Sequence, residues 1–131
     1  VKMCFSGKYS EKEVYKKLVG NGGFNAYLGT NDARTVTLRA NDGDAEAKMV
    51  LDAFHYQVAK DIGSMACVLE GKVDKIILTG GIAYNKLTCE ALQKMCGWIA
   101  DFVIYPGEDE LLALAQGALR VLKGEEEACI Y

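Results

Sequence analysis

The sequence has few of the residues that mark several classes of protein. Its 131 residues include one proline, one histidine and one tryptophan. No apolar run approaches the roughly 18 residues that a membrane-spanning helix needs. The net charge is -3 at pH 7, with both signs interspersed, so the chain lacks the large positive surface that neutralises nucleic-acid phosphates. We therefore expect neither a membrane nor a nucleic acid as a partner.

The five cysteines also lack a recognisable pattern. They are odd in number, scattered and never in C-x-x-C spacing, and with a single histidine they do not predict a zinc site. Reduced thiols in a cytosol, two or three of them serving as small core residues, account for them, so we expect a cytoplasmic protein.

The remaining composition is that of an ordinary globular protein. With 50% apolar and 25% charged residues, we expect one domain with a real core over residues 1–131. The chain starts at Val1, without an initiator Met and without targeting features, so we expect it to be a piece of a longer polypeptide.

The first half of the chain contains two clear helix signals. The segment SEKE at residues 10–13 has the form of a capping box and predicts a helix through about Leu18, ended by the glycines of residues 20–23. Residues 24–39 have no clean period, and we expect them to be extended or looped.

A long helix is predicted from Asp44, its N-cap, because apolar residues then recur at three and four positions through Leu69. We expect Gly71 to close it at the C′ position. Gly63, inside this helix, costs about 1 kcal/mol relative to Ala, so we expect another element to approach the backbone there. His55 lies beside the apolar face and is interpreted as structural.

The second half of the chain alternates strands with helices. The predicted elements are a strand (73–79), a helix (85–95), a strand (101–105) broken by Pro106-Gly107, and a helix (108–122). The first strand is nearly all apolar, so we expect it to be covered on both faces. Two strands joined by a helix imply a parallel, right-handed βαβ unit with helices packed on a small sheet. Because two strands make a poor sheet, we expect an incomplete α/β domain.

Two adjacent glycines follow the first predicted strand in the stretch IILTGGIAYN. Ligands of open α/β sheets bind at the carboxyl ends of strands, and glycine lets a backbone pass close to a flat or anionic ligand. Gly80 and Gly81 therefore indicate a binding turn, although an ordinary strand-to-helix turn also uses glycine for its dihedral angles.

Two other stretches contain candidate site residues. Asp32 and Arg34 follow a run of turn formers and could engage hydroxyls, ring nitrogens or phosphate; the alternative is an Asx turn with a solvated arginine. The acidic residues 108–110 head the last predicted helix. They could supply a carboxylate near a phosphate-bound magnesium, or they could only complement the helix dipole.

The three stretches together carry a family resemblance. GTNDAR, a long helix, IILTGGIAYN and YPGEDELLALAQGALRVLKGEE, in this order, resemble the carboxy-terminal half of butyrate kinases and, more distantly, of acetate kinases. Acetate kinases have a glycine and a glutamate where this chain has Ala83 and Tyr84. The resemblance covers essentially the whole chain. It implies the superfamily of acetate and sugar kinases, heat-shock ATPases and actin, in which two ribonuclease H-like domains close on ATP, with this chain as the carboxy-terminal nucleotide-binding half.

The resemblance also implies which residues bind ATP or ADP and magnesium. The loop that contacts adenosine corresponds to Asp32, Ala33 and Arg34. The glycine turn that lies against the purine and the ribose corresponds to Gly80, Gly81, Ile82, Ala83, Tyr84 and Asn85. The glutamate associated with magnesium corresponds to Glu110, or to Glu108 in the alternative register.

The implied activity is that of a carboxylate kinase, which transfers phosphate from ATP to butyrate or a related short-chain carboxylate. In this family the first phosphate loop and the residues that handle the acyl carboxylate belong to the amino-terminal portion, so we predict no catalytic residue in this chain and no kinase activity of the chain alone. The alternative is a non-catalytic nucleotide-binding or dimerisation module of the same superfamily. Since the family associates through this domain, we expect a homo-oligomer.

Overall fold

A computed structural model of the chain describes residues 1–107 and 109–129. In chain order these ranges contain α1 (Glu11–Leu18), α2 (Gly23–Leu28), α3 (Ala33–Asn41), α4 (Ala45–Val68), β1 (Ile76–Gly80), a 3₁₀ helix (Gly81–Tyr84), α5 (Lys86–Cys96), β2 (Phe102–Pro106) and α6 (Glu110–Leu122). Within them, none of the helices combines the length and the apolar character needed to cross a membrane.

The two strands form a parallel sheet. Ile76 pairs with Phe102, and the register continues to Gly80 opposite Pro106. The chain connects them through α5, so the predicted βαβ unit is confirmed, as is the mixed α/β class with helices packed on a small parallel sheet. The boundaries differ in detail, because β2 runs through Pro106, the residue expected to break it.

The expectation that both faces of the first strand are covered is wrong. Ile76 is buried, but Ile77, whose side chain points to the opposite face, is 61% exposed. The main helical contacts are those of α2, α3 and α5 with α4 rather than with this second face. An apolar run alone does not show which face of a strand a small sheet leaves open.

Residues 24–39 are largely helical, so the expectation of an extended or looped segment is also wrong. α2 ends at Leu28, its C-cap Gly29 adopts a left-handed conformation with φ of 69°, and α3 begins after the N-cap Asp32. The β-branched residues in α3 weaken its intrinsic helix propensity. However, Val36 is fully buried where α3 packs on α4, and this tertiary packing outweighs local propensity.

The predicted capping signals are present at the starts of α1 and α4. Ser10 and Glu13 form a reciprocal capping box, and the Asp44 carboxylate accepts a hydrogen bond from the N–H of Ala47 at 3.0 Å. Arg39 pairs with the other oxygen of Asp44 at 2.7 Å. The backbone N–H of Ala47 and the side chain of Arg39 lower the pKa of Asp44 below its usual value.

The end of α4 differs by one residue from the prediction. The C-cap is Leu69, so the C′ position with left-handed backbone is Glu70, with φ of 55°, rather than Gly71. Gly71 follows with φ of 73°, and its N–H donates to the carbonyl of Ala66 at 2.9 Å. The N–H of Glu70 donates to the carbonyl of Cys67 at 3.0 Å, and these two bonds together form the Schellman arrangement.

The core lies mainly between α3, α4 and α5. Its buried apolar residues are Val36, Ala47, Val50, Leu51, Ala66, Ile76, Ala83, Cys89, Leu92 and Cys96. Burial raises the pKa of the thiols of Cys89 and Cys96. The prediction that two or three cysteines serve as small core residues is therefore confirmed.

Gly63 does not mark a close approach between elements, so that expectation is wrong. A Cβ built at this position would meet no atom within 4 Å, and the same is true at Gly80. The two positions differ in backbone conformation, since Gly63 is helical and Gly80 has φ of 75° and ψ of -170°. The conformation of Gly80 is accessible to glycine and strained for other residues.

The same substitution at these two glycines is expected to have opposite effects. Gly63→Ala should raise the free energy of unfolding by about 0.5–1 kcal/mol, because alanine is the better helix former. Gly80→Ala should lower the free energy of unfolding by about 1–3 kcal/mol. There is space for the added methyl group, but alanine is strained in the backbone conformation of Gly80. Urea denaturation of both variants beside the parent chain measures the two changes. Equal changes in both would contradict a conformational role for Gly80.

Candidate nucleotide-binding cleft

A cleft of about 620 Å³ opens at the carboxyl end of β1. We name it the α3–α5 cleft, since one wall is the start of α3 with its preceding loop and the other is the turn that leads into α5. The lining residues are Asn31, Asp32, Ala33, Arg34, Thr37, Leu38, Asn41, Gly81, Ile82, Tyr84, Asn85, Lys86 and Leu87. Its volume lies within the roughly 300–1,000 Å³ typical of small-molecule sites.

The predicted adenosine-site residues belong to two stretches, 32–34 and 80–85, which are 46 or more positions apart in sequence. Most of these residues meet at the cleft. Those that line it are Asp32, Ala33, Arg34, Gly81, Ile82, Tyr84 and Asn85. Gly80 precedes the cleft as the last residue of β1, and Ala83 turns inward and is 5% exposed.

The predicted magnesium glutamate lies elsewhere in the structure. Glu110 is the first residue of α6, is exposed, and does not line the α3–α5 cleft. The alternative residue, Glu108, lies outside the described residues.

Asp32 forms the N-cap of α3. One carboxylate oxygen accepts from the N–H of Arg34 at 3.0 Å, and the other accepts from the hydroxyl of Thr35 at 2.7 Å and from its N–H at 3.3 Å. The Thr35 hydroxyl and the Arg34 N–H lower the pKa of Asp32 below its usual value. Asp32 thus has the local capping role that the Asx-turn interpretation describes, while it also forms part of the cleft wall.

Asn85 forms the N-cap of α5 and reaches across the cleft. Its Oδ1 accepts from the N–H of Thr88 at 3.3 Å, and its Nδ2 donates to Oγ1 of Thr37 on α3 at 2.6 Å. The second bond joins residues 48 positions apart in sequence. The amide side chain is suited to both tasks because it carries an acceptor and a donor.

The cleft favours an anionic ligand. Both α3 and α5 begin at its wall, and the amino-terminal end of a helix carries partial positive charge, although Asp32 and Asn85 already accept from some of the first N–H groups. The charged side chains among its described lining residues are Asp32, Arg34 and Lys86. Asp32 is engaged in capping, and Lys86 lies 3.7 Å from Glu90, whereas the guanidinium of Arg34 makes no hydrogen bond or ion pair with the residues that the structure describes.

Several lining residues were missed by the sequence argument. Thr37, Leu38 and Asn41 line the cleft from α3, and Lys86 and Leu87 line it from the start of α5. Residues three, four and seven positions after Arg34 share one face of a helix. Recognising α3 from its Asp32 cap would have placed the three α3 residues beside Arg34.

The fold and the cleft together define an α/β domain with a cleft at the carboxyl end of a parallel strand, which is where ligands of open α/β sheets bind. The chain belongs to the acetokinase family, whose model matches residues 6–118, and this family has the actin-like ATPase fold.

Named relatives match over the whole chain. Butyrate kinase 2 of Clostridium acetobutylicum is 62% identical over 131 residues, which is 100% of this chain and 37% of that protein. A probable butyrate kinase of Clostridium botulinum is 57% identical over the same shares of both proteins. A probable butyrate kinase 2 of Caldanaerobacter subterraneus subsp. tengcongensis is 56% identical, again with 37% of that protein covered. The chain therefore spans little more than a third of the length of these curated relatives.

Proposed function

We propose that this chain is the carboxy-terminal, nucleotide-binding part of a carboxylate kinase that transfers phosphate from ATP to butyrate, forming butanoyl phosphate and ADP. Membership of the acetokinase family and the names of its relatives, which are butyrate kinases, support this proposal. The observation that carries it is the α3–α5 cleft, which brings two distant stretches of predicted adenosine-site residues together in one small-molecule cavity.

The proposed nucleotide contacts follow from the chemistry of the two walls. Arg34 offers a planar cation that can pair with phosphate or hydrogen-bond ring nitrogens and ribose oxygens. Tyr84, which is 71% exposed at the cleft, offers an aromatic face to a purine. Gly81 and Ile82 would form the floor on which the nucleoside lies, without a long polar side chain between ligand and backbone.

Magnesium would reach the site with the nucleotide. Mg²⁺ is usually held by substrate phosphates, water and one or two carboxylates rather than by an all-protein cage. In the described part of the chain, no group of three His, Cys, Asp or Glu side chains is placed to hold a metal ion. We propose Glu110 as the carboxylate that contacts the waters of phosphate-bound Mg²⁺, with Glu108 as the alternative residue.

Three further features belong to this proposal. Residues 1–131 would form one domain of a two-domain acyl kinase, and the whole protein would be a cytoplasmic homo-oligomer. The exposed thiols of Cys4, Cys67 and Cys129 are free, in keeping with a reducing compartment.

Nucleotide binding can be tested on the 131-residue chain by following backbone amide chemical shifts during a titration with Mg-ATP. An adenosine of about 19 non-hydrogen atoms at about 0.3 kcal/mol per atom could gain ~6 kcal/mol, which sets a limit of tens of micromolar. With only part of the family's cleft present, we expect a dissociation constant of about 1 mM. The shifts should concentrate at Arg34, Gly81 and the residues beside them.

Matched arginine variants separate the cleft from general surface charge. Arg34→Gln should weaken ATP binding about three- to five-fold, as expected for an exposed charged contact. Arg120→Gln is the control, because Arg120 lies on α6 and pairs with Glu126 rather than lining the cleft. Inorganic triphosphate is titrated in parallel. If it produced the same shifts as ATP at the same concentrations, the cleft would be a general anion site and adenosine recognition would be excluded.

A further inference from the structure

His55, the single histidine of the chain, is buried behind the α3–α5 cleft rather than in it. It lies on α4 with 4% of its surface exposed, and its Nε2 is hydrogen-bonded to Oγ1 of Thr88 at 3.0 Å. Thr88 is 1% exposed, and neither residue lines the cleft. Burial lowers the pKa of His55, an effect that Lys48 reinforces and Asp52 opposes. The ring is therefore neutral at neutral pH, and the bond is one between two uncharged groups.

Thr88 is held at two points. Its backbone N–H donates to Oδ1 of the N-cap Asn85, and its hydroxyl is bonded to His55. The first turn of α5 is thereby attached to α4 through a side chain, in addition to the apolar packing of the two helices. A buried hydroxyl and a buried imidazole left without partners would each carry a desolvation penalty, so the pair favours one relative placement of α4 and α5.

The same turn is attached to the other wall of the cleft. Nδ2 of Asn85 donates to Oγ1 of Thr37, and the Thr37 hydroxyl donates in turn to the carbonyl of Ala33 at 2.7 Å. With its single proton directed at Ala33, the Thr37 oxygen is left to accept from Asn85. In the described residues, every buried side-chain nitrogen and oxygen has a partner, so this network is fully satisfied.

We propose that His55 and Thr88 are positioning residues for the α3–α5 cleft: their bond fixes the first turn of α5, and Asn85 transmits that placement to α3 through Thr37. The inference rests on the proposed nucleotide-binding function and extends it to two residues that do not touch the ligand. It predicts that ATP affinity depends on a hydrogen bond behind the cleft.

The test uses the 131-residue chain and Thr88→Val, which keeps the shape of the side chain and removes the hydroxyl. We expect the dissociation constant of Mg-ATP to rise about three- to ten-fold, with a changed chemical shift of the side-chain amide of Asn85. Thr88→Ser, which restores the hydroxyl, should bind ATP within about two-fold of the parent. If Thr88→Val does not fold, His55→Phe breaks the same bond from the other side and carries the same expectation.

Cys96→Ala is the matched control for a purely structural effect. Cys96 is also buried on α5, and its thiol contacts the carbonyl of Ala59 on α4 at 3.7 Å, at the opposite end of the helix from Asn85. It should lower thermal stability without changing ATP affinity. Equal ATP affinity in Thr88→Val and the parent would overturn the positioning role, as would an equal loss in Thr88→Val and Cys96→Ala. A third outcome concerns the parent chain itself. If its amide chemical shifts did not change at an ATP concentration ten-fold above the expected dissociation constant of ~1 mM, the proposed nucleotide binding would be wrong, and the positioning role would be wrong with it.

Discussion

The 131-residue chain alone is expected to transfer no measurable phosphate from ATP to butyrate, whereas the same chain built into a complete enzyme is expected to be active. Phosphoryl transfer depends on positioning and on neutralising charge by groups from both sides of the ligand. The chain spans 37% of the length of its relative butyrate kinase 2, and we infer from its family resemblance that the first phosphate loop and the acyl-carboxylate residues lie in the remainder of such an enzyme. We expect a rate at least about a thousand-fold below that of the complete enzyme.

A chimera provides the complete enzyme. In it, this chain replaces the matching 37% of butyrate kinase 2 of Clostridium acetobutylicum. The two sequences are 62% identical over all 131 residues of this chain. Formation of acyl phosphate is measured with the chain alone, the chimera and the unmodified relative at equal concentrations. Butyrate, acetate and longer or branched acids are compared as acceptors.

The possible outcomes separate the two functions considered for the chain. Activity of the chimera supports the carboxylate kinase. A folded chimera that binds ATP but forms no acyl phosphate would favour the non-catalytic nucleotide-binding module. Substantial turnover by the 131-residue chain alone would contradict the prediction, since it would mean that residues within the chain complete the catalytic site.

Local sequence signals predicted the elements of the fold where capping and periodicity agreed. The capping box at Ser10, the N-cap at Asp44 and the helix that follows Asp44 were all predicted correctly, because capping and helical periodicity depend on residues close together in sequence. α3 was missed even though Asp32 caps it, since residues 24–39 have no clean hydrophobic period. Its helical state is favoured by the burial of Val36 on α4, which is a contact between elements.

The candidate site was also predicted only in part, since contacts between elements decide which residues face the cleft. The motifs that carry the family resemblance identified residues on both walls of the cleft, but they did not indicate which ones face it. Ala83 lies within the glycine turn and is buried in the core, whereas Thr37 lies outside the recognised motifs and joins the two walls. Orientation depends on how α3 and α5 pack on α4, and a short motif contains no information on that packing.

The structure divides the glycine pair into two different roles. Gly80 has the backbone conformation that requires glycine, with φ of 75°, and a side chain there would enter open space. Gly81 begins the 3₁₀ helix and lines the α3–α5 cleft. Of the two glycines, Gly80 has the positive φ that favours glycine, and Gly81 lines the cleft in which we propose that the nucleotide binds.

Gly81→Val in the chimera is expected to raise the KM for ATP at least about ten-fold and to leave the KM for butyrate within about two-fold. The added isopropyl group would occupy cleft volume beside Ile82 and hold the nucleoside away from the backbone. Gly63→Val is the matched control, because it adds the same group on α4, outside the cleft and with open space around its Cβ. Steady-state kinetics with each substrate varied in turn give both constants, and thermal melting shows whether the variants are folded. If the KM for ATP were unchanged in Gly81→Val, the glycine pair would be an ordinary strand-to-helix turn with no role in nucleotide binding. An equal rise in the KM for ATP and the KM for butyrate would indicate a general disturbance of the enzyme rather than a steric block of the nucleotide.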